Sequence, residues 1–222
     1  MITRWQGIGL ALLVIGDFLF GAVCAARLPQ RVPVHWNFQG QVDRYGSPWE
    51  LAFILPLTLA ITTGVMVALP FLGKTGEALE RSGQMYGRII LLAVGMLVAM
   101  HVMMLVLWNQ PQDIVTGNLV NLGVLFMVLG NWTSKVRRNP IMGVRTLWTL
   151  KSDYVWERTN RVGARLMVAH GVAIVASAFL LPVWATFTMV LGGAVAEVIW
   201  AMVYSRSLAR GEAQRQAGLS SQ

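Results

Sequence analysis

Cysteine is almost missing from this chain. Cys24 is the only one among 222 residues, which excludes an intrachain disulfide and any multi-cysteine zinc site, and leaves Cys24 as a small apolar helix residue. Charge is also scarce. Charged residues make up 13% of the sequence, about half the share of an ordinary soluble domain. The signatures of common catalytic sites are absent too: there is no nucleophile elbow, no His-Glu-x-x-His, no phosphate-binding glycine loop with lysine and no Cys–His pair in a plausible motif. No enzyme, cofactor or resident metal is therefore expected.

What the chain has in their place is apolar length. Hydrophobic residues make up 55%, and runs near the roughly 20 residues needed to cross a bilayer lie at 7–26, 51–70, 89–108, 115–132, 166–183 and 185–204. The expected fold is an all-α, polytopic integral membrane protein with six transmembrane helices. The first run is longer than a signal-peptide core and carries Asp17 inside it, so it reads as a true span.

Basic residues fix the expected orientation. With both termini cytoplasmic, Arg27, Arg31 and Arg44 fall outside and the rest of the 18 basic residues fall inside, eight of them within Lys135–Arg165. The high isoelectric point is thus a matter of topology, and no nucleic-acid partner is implied by it. The parts are a first helical hairpin with its outer loop (1–72), a second hairpin region (73–114), a region of the last three spans (115–210) and a tail (211–222) expected to be disordered.

Two connections carry chemistry. In the outer loop Arg27–Glu50, Pro29, Pro33 and Pro48 forbid a helix, so an ordered or docked irregular segment is expected. His35, Asn37 and Asp43 are interleaved there with Trp36, Phe38 and Tyr45. Turn capping with aromatic anchoring, a binding surface for an outside ligand, and acid–base or metal chemistry all remain open; the spacing fits no standard zinc signature. In the basic segment, Asn139-Pro140 and Gly143 mark turns and Ser152 is a good N-cap. Val155, Thr159, Val162 and Leu166 then share one helical face opposite Glu157, Arg158, Arg161 and Arg165, as in an interfacial helix that bends into the fifth span. A plain positively charged surface loop, with Trp148 and Trp156 as membrane anchors, is the other reading.

Asp17, His101, His170 and Glu197 lie inside spans, where ionisation is costly. They are candidates for acid–histidine pairs in a proton or ion path, or for separate structural hydrogen bonds. Met100, Met103 and Met104 around His101 read as packing.

His35-Trp36-Asn37, Gly40 and Asp43-Arg44-Tyr45-Gly46-Ser47 resemble a domain of unknown function found at the N-terminus of many bacterial membrane proteins. Asn139-Pro140-Ile141-Met142-Gly143-Val144-Arg145-Thr146, with Trp148, Trp156 and Arg161-Val162-Gly163, is similar to the signature of the SdpI family of toxin-immunity proteins. The sequence departs from that pattern at Leu147, where proline is expected, and at Asn160, where histidine is common. The resemblance implies a multi-pass protein of the bacterial inner membrane that protects its producer from a secreted peptide toxin and captures a small winged-helix repressor. It would place ligand contacts at His35, Trp36, Asn37 and Asp43, and partner contacts at Asn139, Arg145, Trp148 and Trp156. The alternative is a transporter or ion-conducting protein built on Asp17, His101, His170 and Glu197.

Overall fold

The computed structural model describes residues 2–71, 84–139 and 142–220. Six helices among them are long and apolar enough to cross a membrane: α1 (Arg4–Ala25), α2 (Pro48–Ala68), α3 (Met85–Val106), α4 (Pro111–Thr133), α5 (Asp153–Leu180) and α6 (Val183–Ser220). Lys74 and Arg81, which entered the charge argument, and Pro140 and Ile141 of the basic segment lie outside the described residues.

The helix starts follow local chemistry. Thr3 caps α1 in a capping box with Gln6, and Ser47 and Ser152 cap α2 and α5 by accepting from Glu50 N and Val155 N. Pro48 and Pro111 open α2 and α4, where their missing N–H has no helical partner to lose.

Three expectations need correction. The outer loop is ordered but regular: β1 (Val32–Trp36) and β2 (Val42–Gly46) form an antiparallel hairpin. Asn37 makes its turn, its Oδ1 accepting from the backbone N–H groups of Gln39 and Gln41 at 3.0 and 2.9 Å, while Gly40 takes a φ of +79° that suits only glycine well. Pro33 is tolerated because a two-stranded hairpin leaves outward-facing positions that need no donor. The second correction concerns α5, in which the interfacial turn and the fifth span are not separate elements. It is one 28-residue helix whose inward face is Val155, Trp156, Thr159, Asn160, Gly163 and Ala164, while Leu166 is exposed. The third is the tail, which is helical through Ser220. Its Ala, Arg, Glu and Gln residues are strong helix formers. At 1.5 Å per residue α6 is about 57 Å long, well beyond a hydrocarbon core of about 30 Å.

Packing divides into two groups. A buried cluster of Leu10, Leu59, Tyr86, Ile90 and Val94 joins α1, α2 and α3, and a second, of Ala25, Val32, Leu51, Ala52 and Leu105, seats the root of the hairpin on the same helices. In the other group α4 lies backbone to backbone on α5: a Cβ on Gly171 would stand 2.5 Å from the carbonyl oxygen of Gly123. Such small-residue contacts suit helices in lipid, where close van der Waals packing replaces the hydrophobic drive. Trp156 of α5 joins the first cluster and ties the groups together.

Candidate functional site

The polar groups inside the spans pair up. Asp17 on α1 and His101 on α3 are both buried, with Oδ1 and Nδ1 2.7 Å apart, and His101 Nε2 lies 3.0 Å from the backbone carbonyl of Leu51 on α2. A carbonyl can only accept, so Nε2 carries a hydrogen, and the Nδ1–Oδ1 contact holds a second one. Whether that second proton sits on the ring or on the carboxyl, the pair is neutral as a whole. One residue along α2, Ala52 O is left without a helical donor, because Pro56 lacks an N–H. Three helices are thus pinned at one point below the hairpin.

The second pair lies in the other group. His170 Nδ1 on α5 is 3.1 Å from Glu197 Oε1 on α6, and Phe126 of α4 meets the imidazole edge-on at 5.1 Å. Gly193, one turn before Glu197, leaves the space for that ring, since a Cβ there would collide with it. His170 Nε2 is buried and has no hydrogen-bond partner among the described residues. Among the described residues no hydrogen bond connects this pair to Asp17 and His101, and no three His, Cys, Asp or Glu side chains converge as metal ligands would.

On the hairpin, His35 Nδ1 and Asp43 Oδ1 are 2.6 Å apart across the strands, with both side chains largely in the open. Phe38, Tyr45 and Trp49 are exposed around them. Asn37 is spent on the turn, and Trp36 keeps its indole N–H buried without a partner. The hairpin tip rests on the start of α6, with the Phe38 and Phe187 rings 5.8 Å apart. A Cβ on Gly40 would touch Val183 at 3.0 Å.

At the opposite end of the bundle the basic segment is folded onto α5 and α6. Asn139 Oδ1 accepts from Met142 N at 2.8 Å, Gly143 turns with a φ of +95°, and Val144 N then donates to Asn160 Oδ1 at 2.7 Å. Asn160, the residue that departs from histidine in the resemblance, is therefore what holds the turn. Thr146 donates from its hydroxyl to Ser205 on α6 at 2.9 Å, and Ser152 donates to Glu212 at 3.0 Å. Asn139 and Trp156 point inward, being 3% and 4% exposed, with the Trp156 Nε1–H bonded to Val136 O. They hold the segment in shape and offer no surface to a partner. The open side chains are Arg145, Leu147 and Leu150, with Trp148 half-buried.

Sequence reasoning named the four intramembrane residues without fixing their partners; the conformational signal for Glu197 was Gly193, and nothing in the sequence pointed to Leu51 O. Ser205, Glu212 and Phe187, which hold the two end segments on α6, carry no motif that could have singled them out.

Residues 12–60 match a domain of unknown function, DUF1648, and residues 135–205 match the SdpI/YfhL protein family. The chain is 24% identical over 172 residues to "Immunity protein SdpI" of Bacillus subtilis (strain 168), covering 76% of this chain and 79% of that protein. No solved structure matches it. The chain is a multi-pass bacterial membrane protein whose residues 12–60 are similar to DUF1648 and whose residues 135–205 are similar to the SdpI/YfhL protein family.

Proposed function

We propose that this chain is an immunity protein of the bacterial inner membrane, with the hairpin outside, where it recognises a secreted peptide toxin, and the basic segment in the cytoplasm, where it docks a soluble partner such as a small winged-helix repressor. No enzymatic step belongs to this reading. The single observation that supports it best is the contact of α6 with both ends: Val183 and Phe187 meet the hairpin tip, while Ser205 and Glu212 hold the basic segment. With the similarity to an immunity protein over most of the chain, this gives an outer recognition surface joined by one helix to an inner one. The excess of Lys and Arg in the basic segment supports the orientation. The inner surface is assigned to Arg145, Leu147 and Trp148, since Asn139 and Trp156 are buried.

The test is deletion of the gene from its own bacterium and exposure to conditioned medium of the parent. Growth should stop in the deletion strain and return with the intact chain, but not with a chain whose residues 37–41 are replaced by a Gly-Ser turn. Normal growth of the deletion strain in that medium refutes immunity.

A second reading, proton or ion transfer, is favoured by one observation: both intramembrane histidines meet a carboxylate. Against it stands the lack, among the described residues, of any hydrogen-bonded link between the two pairs. The intact protein, reconstituted in vesicles with a pH-sensitive dye, should show proton flux at background if immunity alone is right, and flux above background that Glu197→Gln abolishes would favour transfer.

A further inference from the structure

An apolar groove of about 750 Å³ opens between the basic segment and α6, walled by Phe126, Val144, Met167, Ala201 and Met202, with Glu197 inside it. Its size is that of a small-molecule site, and such sites are mostly apolar with a few placed polar groups. Glu197 lies two turns of α6 before Ser205, so it sits about 12 Å from the level of the Thr146 contact, toward the hairpin. The neighbouring α6 side chains Val195, Val198 and Ile199 are exposed, as lipid-facing residues are. A carboxyl group on such a helix is costly unless it is partnered.

His170 satisfies only part of this group. It meets Oε1, while a carboxylate offers about four acceptor positions on two oxygens, and the glutamate side chain is 24% exposed. The imidazole behind it is 8% exposed, and its Nε2 lies against Gly193, outside the groove lining, with no hydrogen-bond partner among the described residues. The polar spot is thus built into the helix interface by Gly193 and is incomplete. Arg145, the other charged residue of the lining, is on the exposed segment.

We propose that this groove binds an apolar, membrane-dissolved molecule carrying one basic nitrogen, with that nitrogen against Glu197. The complementarity decides the class. An N–H cation supplies the donor that the carboxylate lacks, and attraction between opposite charges is strong where water is excluded. A plain hydrocarbon leaves the acid as it was, and a fatty acid brings a like charge to it. Because the groove wall includes the turn that carries Arg145 and Leu147, the bound molecule touches the segment that sets the inner surface.

The experiment uses the full chain in phosphatidylcholine nanodiscs and two long-chain probes that carry the same photoreactive diazirine, one ending in an amine and the other in an alcohol. At low probe concentration the amine should label groove residues about tenfold more than the alcohol, which is a difference of about 1.4 kcal/mol. Glu197→Gln should bring that ratio close to one, and Ala194→Phe, which fills the groove, should reduce both signals. Equal labelling by amine and alcohol in the unaltered chain, or a ratio unmoved by Glu197→Gln, overturns the proposal. If Glu197→Gln does not purify as a monodisperse species, competition decides: excess unlabelled amine must suppress the amine signal and excess alcohol must not. Neither toxin nor survival enters the readout, so its failure leaves the immunity reading standing.

Discussion

Replacing Asp17 in two ways separates hydrogen-bond geometry from charge at the point where three helices meet. In Asp17→Ala the imidazole of His101, fully buried, loses the partner of Nδ1, and an orphaned buried polar group costs about 1–3 kcal/mol. For a protein of this length each kcal/mol moves the melting temperature by about 2–4 °C, so a fall of about 2–12 °C is expected. Asp17→Asn keeps the arrangement: the amide donates to Nδ1 while Nε2–H still donates to Leu51 O, both bonds survive with a neutral ring, and the cost stays below about 1 kcal/mol. Thermal unfolding of the detergent-purified chain, followed by size-exclusion fluorescence, measures both. If Asp17→Asn is as damaging as Asp17→Ala, the contact is an ion pair with the shared hydrogen on the ring, and the reasoning that hydrogen-bond geometry alone sustains it is wrong. A stable Asp17→Asn chain that has lost protection would move the balance toward proton transfer.

The remaining predictions concern the two ends. Gly143→Ala should cost about 1–2 kcal/mol for a left-handed non-glycine residue, with added crowding because its Cβ would stand 2.7 Å from Asn160 Oδ1; limited proteolysis within 134–152 should accelerate, and an unchanged digestion pattern counts against the turn. The double change of His35 and Asp43 to Ala removes a pair whose side chains are 62% and 41% exposed, so stability should shift by less than about 1 kcal/mol while protection falls; full protection would reduce the hairpin to a connector. Trp156→Ala should lose about 3–5 kcal/mol as a core truncation, whereas Leu147→Ala, at a side chain that is 73% exposed, should leave melting unchanged and weaken capture of a soluble partner; the reverse result would return Trp156 to the surface. In intact cells an impermeant thiol reagent should label Ser47→Cys and spare Ser134→Cys in a Cys24→Ala background, and the opposite pattern inverts the proposed orientation.

Features that depend on composition over some 20 residues could be read directly from the chain. The six spans and the Ser152 cap belong here, because hydropathy and local capping act within one segment; which acid meets which histidine does not, since each pair joins two helices. What could not be read was set by contacts between distant segments. Asn37 and Gly40 held the turn signal for a hairpin, but its prolines suggested irregular chain, and only the packing of Val32 among Ala25, Leu51 and Leu105 favours strand geometry over a loose loop. Trp156 illustrates the same limit. An amphipathic pattern centred on Val155 and Thr159 leaves a neighbouring tryptophan on either side of the helix, and the inward choice was made by Val136, which accepts its N–H from the end of α4.

The two groups of helices differ in how much room they leave for change. Around Asp17 both ring nitrogens of His101 are engaged and the surrounding side chains are buried beneath the hairpin, although Asp17 Oδ2 has no hydrogen-bond partner among the described residues. Around Glu197 one imidazole nitrogen is unpartnered and a groove adjoins the acid. A small displacement of α6 there has contacts at both ends to act on: the Phe38–Phe187 ring pair on one side, and the Thr146–Ser205 and Ser152–Glu212 hydrogen bonds on the other. Among the described residues, α6 is thus the one element in contact with both the hairpin tip and the basic segment. Coupling of this kind requires two discrete positions of α6 that each end can favour, and the incomplete polar partnership at His170 and Glu197 is where two such positions would differ in energy.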